Sequence, residues 1–369
     1  MNSNNFQTLN VAFIGGAINS AVGYTHFNAC RLDGYFDVSA GCFSRDEAQN
    51  QLTARTYGVT PGRTYRTWQD LLQHEKNTID AVVVLTPTPS HVEIVLQALA
   101  QGFAVICEKA LGASSQECLA MQAAVETHQG FLAVTFNYSG YPMVRELRHM
   151  MNSGRLGTIQ QVHIEMPQEG FLRQGANPQQ WRRKDYAVPT VSLDLGVHVH
   201  HLVDFLLNGK KVQSVLADQA SYGGLGVVDN VYSLTRYEGD VRVQAWWGKT
   251  ALGYRNGLRI RVFGNQGSAE WYQLEPENLR LCDNDGQTLL LDRGSGQVKL
   301  AREARYNRFK PGHPSGFIEA FANLYADIAF ALRRHKNNMN AMDSYVAGAQ
   351  QAAEGLQWLE RIQQAAKTE

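Results

Sequence analysis

The chain has little of what would announce a disulfide scaffold, a membrane span or a nucleic-acid grip. Its 369 residues hold five cysteines, Cys30, Cys42, Cys107, Cys118 and Cys282. Their number is odd, they are scattered and no two form C-x-x-C, which argues against a disulfide framework or a cysteine zinc site. They read instead as small core thiols in a reducing compartment. Neither sign of charge is in surplus, with 34 Lys and Arg against 34 Asp and Glu. Without a basic cluster, no nucleic-acid or acidic-membrane partner is expected. Apolar runs fall short of the roughly 18 residues that a membrane span needs. The opening "MNSNNFQTLN" lacks the basic-then-apolar pattern of a signal peptide. A cytoplasmic protein acting on a small, neutral or modestly charged ligand is expected.

What is present is an ordinary globular composition, 44% hydrophobic and 18% charged, in a chain too long for one core. The first third alternates strand and helix patterns. "NVAFIGGA" (10–17), "FDVSAGCFS" (36–44), "DAVVVLTPTPSH" (80–91), "AVICEKALG" (104–112) and "FLAVTFNY" (131–138) read as strands with helical stretches between them. Repeated β-α units predict a parallel sheet covered on both faces. After residue 140 the pattern becomes alternating and turn-rich, as in a mostly antiparallel sheet. The expected fold class is therefore α/β: a Rossmann-type dinucleotide-binding domain over 1–138, then an α+β domain over 139–369 on an open, mostly antiparallel sheet.

Several segments carry chemistry. The first strand runs into "IGGAINSAVG" (14–23), where a dinucleotide fingerprint would read G-x-G-x-x-G. Gly15 stands first, and Ala17 and Ser20 occupy the next two glycine positions. Gly15, Gly16, Ala17, Ile18 and Asn19 are thus candidate cofactor contacts. The second strand ends with Phe43 where an acid would meet the ribose of NAD. Ser44 and Arg45 just beyond suit a 2′-phosphate, so NAD or NADP is expected with a slight lean to NADP. Thr86, Thr88 and His91 close the third strand and line the expected cofactor groove. The fourth delivers Glu108 and Lys109 at its carboxyl end, where open parallel sheets bind ligands. Asn137 and Tyr138 end the fifth and are candidate substrate contacts.

"DLGVHVHH" (194–201) is the most loaded stretch. At helical spacing Asp194, His198 and His201 share a face. A carboxylate orienting an imidazole for proton transfer, a metal site and a solvated polar face all fit that pattern. Gly196 inside the helix costs about 1 kcal/mol against Ala, and a close approach of backbone and ligand would explain it. In "QQWRRKD" (179–185) Trp181 offers a face to a sugar and Arg182 a donor to its hydroxyls.

Taken together, these stretches resemble the Gfo/Idh/MocA family, named for glucose–fructose oxidoreductase and inositol dehydrogenase. The resemblance rests on "CEKA" (107–110), close to the family's E-K-P, on "TPTPSH" (86–91), and on "DLGVH", similar to its D-x-G-x-H. "GRLGTI" (154–159) and "VFGNQGSAEW" (262–271) match second-domain signposts. The resemblance implies NAD(P)-dependent oxidation or reduction at a secondary hydroxyl of a sugar, amino sugar or inositol. It further implies an open sheet that forms a homodimer or homotetramer interface. Lys109 would touch nicotinamide and the reacting hydroxyl, Glu108 the ribose hydroxyls or Lys109 itself, and Asp194 with His198 would form the acid/base pair. Departures from the pattern are Ala110 in place of the family's proline, often cis, and His201 where many members have an Asp. "YAVPTVSLD" also lacks the glycine-rich run that usually precedes the aspartate. Glycosidases of the same family that retain NAD need the same Lys and His. Ligand sensors on this scaffold tend to lose residues that this chain keeps.

Overall fold

The five apolar runs become parallel strands β1 (Leu9–Gly15), β2 (Phe36–Cys42), β3 (Ala81–Leu85), β4 (Ala104–Cys107) and β5 (Leu132–Val134), ordered β2-β1-β3-β4-β5. This is seen in a computed structural model that describes residues 7–20, 22–339 and 344–366. β3 is buried at every position, as a central strand covered on both faces must be. Helices α1 (Gly23–Arg31), α2 (Glu47–Tyr57), α3 (Trp68–Glu75), α4 (His91–Ala100) and α5 (Ser115–Thr127) connect the strands. The ends of α2 are legible locally. The Asp46 side chain accepts from the Gln49 N–H at its start, and Gly58 closes it in the left-handed conformation with φ 74°. α3 lies where the sequence pattern suggested no element; Thr67 caps it by accepting from the Asp70 N–H.

The second half holds α6 (Pro142–Asn152), β6 (Ile159–Pro167), α7 (Val197–Leu207) and strands β7 (Val212–Ala220), β8 (Asn230–Tyr237), β9 (Val241–Gly248), β10 (Arg259–Gly264), β11 (Gly267–Tyr272), β12 (Leu279–Asp283) and β13 (Thr288–Leu291). The eight strands form one sheet in the order β13-β12-β11-β10-β6-β9-β8-β7, antiparallel except where β6 runs parallel to β9. Register separates its faces. Trp271, Ile260, Ile164, Ala245 and Ser233 align across five strands as a buried row. One residue along, Glu270, Arg261, His163, Gln244 and Leu234 align on the other face, where none of the five is fully buried. The two family-like signposts dock on each other: the Asn265 carboxamide oxygen accepts from the Thr158 N–H at 2.9 Å, and a Cβ on Gly264 would sit 2.0 Å from the Leu156 carbonyl oxygen. α6 turns a buried carboxylate onto a loop, Glu146 accepting from the N–H groups of Lys299, Leu300 and Ala301 at 3.1, 2.7 and 3.0 Å.

The expected domain division needs a correction. One compact unit takes the chain up to Gly112, Gln116–Gly140 and also Phe317–Ala353; the other takes Ala113–Ser115, Tyr141–Gly316 and the chain from Glu354 on. The returning segment carries α8 (Phe317–Lys336), and α9 (Ala349–Ala366) follows. The physical reason is burial. Phe321, Leu324, Tyr325, Ile328 and Leu332 of α8 share a core with Phe13, Phe36 and Val38 of the parallel sheet, and the Tyr325 ring meets Phe36 edge-on at 5.6 Å. In the other unit, Trp358 of α9 packs 5.5 Å from Trp247 and donates to the Thr235 hydroxyl at 3.1 Å. Among the described residues no helix is long and apolar enough to cross a membrane.

Candidate active site

The nucleotide turn is tighter than its fingerprint suggests. Gly15 and Gly16 take φ of 83° and 76°, a region that disfavours any side chain. A Cβ on Gly15 would lie 2.9 Å from the Leu85 carbonyl carbon, and one on Gly23 only 2.2 Å from the Gly16 oxygen. Gly23, not Ser20, therefore fills the role of the fingerprint's last glycine, that of close helix packing. The Ser20 hydroxyl accepts from the Gly23 N–H at 2.8 Å. Ala17 is buried, Ile18 half-buried and Asn19 exposed. Tyr57 donates to the Gly16 carbonyl at 3.0 Å, so the turn is braced from below. A glycine cradle at the start of a helix, beside the carboxyl ends of β1 and β3, fits a dinucleotide pyrophosphate.

At the end of β2, Phe43 is buried, edge-on to Phe13 and Tyr57, while Arg45 is exposed. The Ser44 hydroxyl accepts from the Asp46 N–H at 3.1 Å. At the end of β3, Ser90 donates to the Thr86 hydroxyl at 2.8 Å, and Thr88 is buried. His91 was expected in the cofactor groove. It is fully buried, with ring nitrogens 2.7 Å from the Thr86 carbonyl and 2.9 Å from that of Ala110. Burial outweighs both carbonyls and pushes the imidazole below its ordinary pKa. His91 thus ties the turn after β3 to the turn after β4.

The Glu108–Lys109 pair ends β4 as follows. Glu108 is buried; one carboxylate oxygen accepts from the Thr135 hydroxyl at 2.5 Å and lies 3.2 Å from His26 Nε2. The other nitrogen of His26 meets the Tyr325 hydroxyl at 2.7 Å. Burial opposes ionisation of Glu108, but His26, Lys109 and Thr135 overcome it and hold the carboxyl below the usual range. These contacts make Glu108 an anchor inside its own unit, while Lys109 beside it is half-buried. The Lys109–Ala110 peptide is cis although no proline is present. Asn137 and Tyr138, after β5, are both buried, and the Asn137 Nδ2 has no hydrogen-bond partner among the described residues.

The second cluster lies in the other unit. Ser192–Gly196 forms a π-helical turn that runs into α7, an irregularity often found at functional sites. It carries Asp194, whose Oδ2 pairs with the Lys249 ammonium at the end of β9 and whose Oδ1 lies 3.3 Å from Arg182. Arg182 stacks over Trp181 at 4.4 Å. His198 is buried. His201 is buried beside Phe205; burial first, then His200 and Arg148, push its pKa down to about 3. The glycine within this stretch has a different reason from the ligand approach expected of it. A Cβ on Gly196 would meet Leu359 at 2.9 Å and the Trp247 ring at 3.0 Å, so the space goes to core packing. Among the described residues no group of three His, Cys, Asp or Glu could hold a metal ion. Gly23 ends the quoted glycine turn but was given no role there, and Lys249, His26, Thr135 and Tyr325 were not singled out because none belongs to a local motif.

Comparison with known proteins covers both units. Residues 9–136 match the oxidoreductase family with NAD-binding Rossmann fold, and residues 144–270 match the GFO/IDH/MocA C-terminal domain. The uncharacterized oxidoreductase YfiI of Bacillus subtilis is 29% identical over 96% of this chain and 93% of its own length. Inositol 2-dehydrogenase of Rhizobium meliloti is 26% identical over 57% of this chain and 62% of its own. The crystal structure of an inositol dehydrogenase homolog from Azotobacter vinelandii, complexed with NADH and myo-inositol, superposes with a TM-score of 0.91 at 29% identity. It covers 98% of this chain and 96% of that one.

Proposed function

The chain belongs to the GFO/IDH/MocA family of NAD-binding oxidoreductases, and on that premise we propose that it moves a hydride between a nicotinamide dinucleotide and a secondary hydroxyl of a sugar, amino sugar or inositol. One observation carries the reading. Asp194 and Lys249 keep a buried charge pair beside Arg182 and Trp181, the kind of arrangement that clusters at functional sites.

The dinucleotide supplies the hydride acceptor or donor. Gly15, Gly16 and the start of α1 hold its pyrophosphate, with Ala17, Ile18 and Asn19 beside them and Thr86 and Thr88 along the groove. Asn137 offers its spare carboxamide N–H groups, and Ser44 with Arg45 tilts the choice toward NADP. Lys109 binds the reacting oxygen. His198 takes the proton that the hydroxyl loses, and Asp194 keeps its charge next to Lys249. Tyr138 in the first unit and Trp181 and His201 in the second are the candidate substrate contacts. The uncovered face of the eight-stranded sheet, with Leu234 and Leu216 exposed on paired strands, is the surface for a homodimer or homotetramer.

The test is a titration with NADH and NADPH, read by energy transfer from tryptophan, followed by initial rates on a panel of sugars and inositols. Binding of either nucleotide together with polyol-dependent reduction of the oxidised form is expected. Lys109→Met should lower turnover by roughly 10²–10⁴-fold. Release of an aglycone without net cofactor change, or wild-type turnover by Lys109→Met, would overturn the assignment.

A further inference from the structure

Resting on that reading, we propose that the substrate carries a carboxylate, as a sugar acid does, and that Arg182 binds it. The argument starts from charge. Asp194 is already paired with Lys249, a residue 9% exposed whose ammonium sits 5.5 Å over the Phe171 ring. A buried carboxylate needs one such partner. Arg182 is a second cation on the same group, and its 3.3 Å approach to Oδ1 is longer than the 2.7–2.9 Å of a charge-assisted bond.

The rest of the guanidinium is weakly engaged. Nη1 donates to the neutral Gln179 carboxamide, which also accepts from the Trp181 indole at 2.8 Å. Nε is buried and has no hydrogen-bond partner among the described residues. Nη2, with only the long contact to Asp194 Oδ1, is the donor with capacity left for a charge-assisted bond to a ligand carboxylate.

Neighbouring acids are engaged elsewhere. The two oxygens of Asp185 accept from the Thr190 and Val228 N–H groups. Glu169 accepts from the Gly253 N–H and faces Arg173 at 3.6 Å. His200 and His201 are neutral at pH 7, burial holding them to about 4 and about 3. Two cations, Lys249 and Arg182, thus contact the single carboxylate of Asp194, and an anionic group on the substrate would engage the second of them. A neutral polyol offers hydroxyls to Arg182 but no charge.

The experiment compares matched substrates on the whole enzyme at saturating cofactor: a hexose, the corresponding hexuronate and the corresponding hexose phosphate. Binding of the hexuronate in the presence of NADH is measured in parallel by calorimetry. The hexuronate is expected to exceed the hexose in kcat/KM by about tenfold or more at low salt, as a charge-assisted pair implies. Arg182→Gln should bring the acid-to-neutral ratio close to one. Arg182→Lys, which keeps the charge and loses the fork, should give an intermediate ratio. Preference for the phosphate over the carboxylate would overturn the carboxylate assignment. Turnover of the hexose as good as that of the acid, or an acid-to-neutral ratio untouched by Arg182→Gln, would overturn the whole inference and leave hydride transfer standing. Arg182-dependent binding of the hexuronate without turnover of any sugar would support the anion site while sinking the hydride-transfer reading. Absence of both binding and turnover would sink the two together.

Discussion

Lowering the pH from 7 to 5 should destabilise the second unit through His200 and His201. Both are buried, at 6% and 8% exposure. His200 packs 5.4 Å from the Trp358 ring, and its pKa falls to about 4 through burial, with Glu354 opposing and Lys211 assisting. His201 falls to about 3 through burial, His200 and Arg148. In the unfolded chain both titrate near 6.5, so between that value and the folded one the unfolded state binds more protons. Stability is then complete above pH 6.5 and is lost as the pH falls. At 1.36 kcal/mol per pH unit, each histidine contributes about 2 kcal/mol of loss by pH 5, and the pair about 4 kcal/mol. Asp204, raised by burial, works in the opposite sense. The lowered carboxyl of Glu108 acts only below this range. Urea unfolding followed by tryptophan fluorescence reads mainly this unit, since five of the six tryptophans, Trp181, Trp246, Trp247, Trp271 and Trp358, lie in it and only Trp68 lies in the other. His201→Gln should halve the pH slope. A wild-type loss under about 1 kcal/mol, or a variant curve parallel to wild type, would refute the reasoning.

Other perturbations have direct readouts. Gly23→Ala drives a Cβ into the Gly16 carbonyl, 2.2 Å away, and should weaken NADH binding at least about tenfold while costing roughly 1–3 kcal/mol of stability; nucleotide titration and thermal melts check both. Glu146→Ala strands the three N–H groups of Lys299, Leu300 and Ala301 that its carboxylate serves, at about 3 kcal/mol or more, and thermal unfolding should show Glu146→Gln losing less. Arg45→Ala should lower affinity for NADPH and leave that for NADH within about twofold; equal loss for both would show that Arg45 does not read the 2′-phosphate.

Legibility of the molecule in its sequence followed the range of each interaction. The parallel strands were readable because short apolar runs end in Gly and Pro, and the second sheet because its exposed face enforces alternation. β12, β13 and the eight-residue α3 lie between the stretches that the pattern marked and were not read as elements. "CEKA" and "DLGVH" were visible as local strings. The partners that hold them were not, since His26 lies 82 residues from Glu108 and Lys249 lies 55 from Asp194. Gly196 was misread for a related reason. An unexpected glycine says that something comes close, and only the fold shows that the visitor is Trp247.

The return of Phe317–Ala353 into the first unit sets an order of events during synthesis. The parallel sheet is complete when β5 leaves the ribosome, yet the face that buries Phe321, Tyr325 and Ile328 stays bare until α8 emerges. At about 5–20 residues per second, the stretch between Gly140 and Phe317 keeps that apolar surface waiting for roughly 10–35 s. A ribosome stalled within the second sheet would therefore display a sheet without its last helix, a ready client for a chaperone. For the same reason a gene fragment cut after residue 138 should yield insoluble product, whereas one that splices Phe317–Ala353 back on should not.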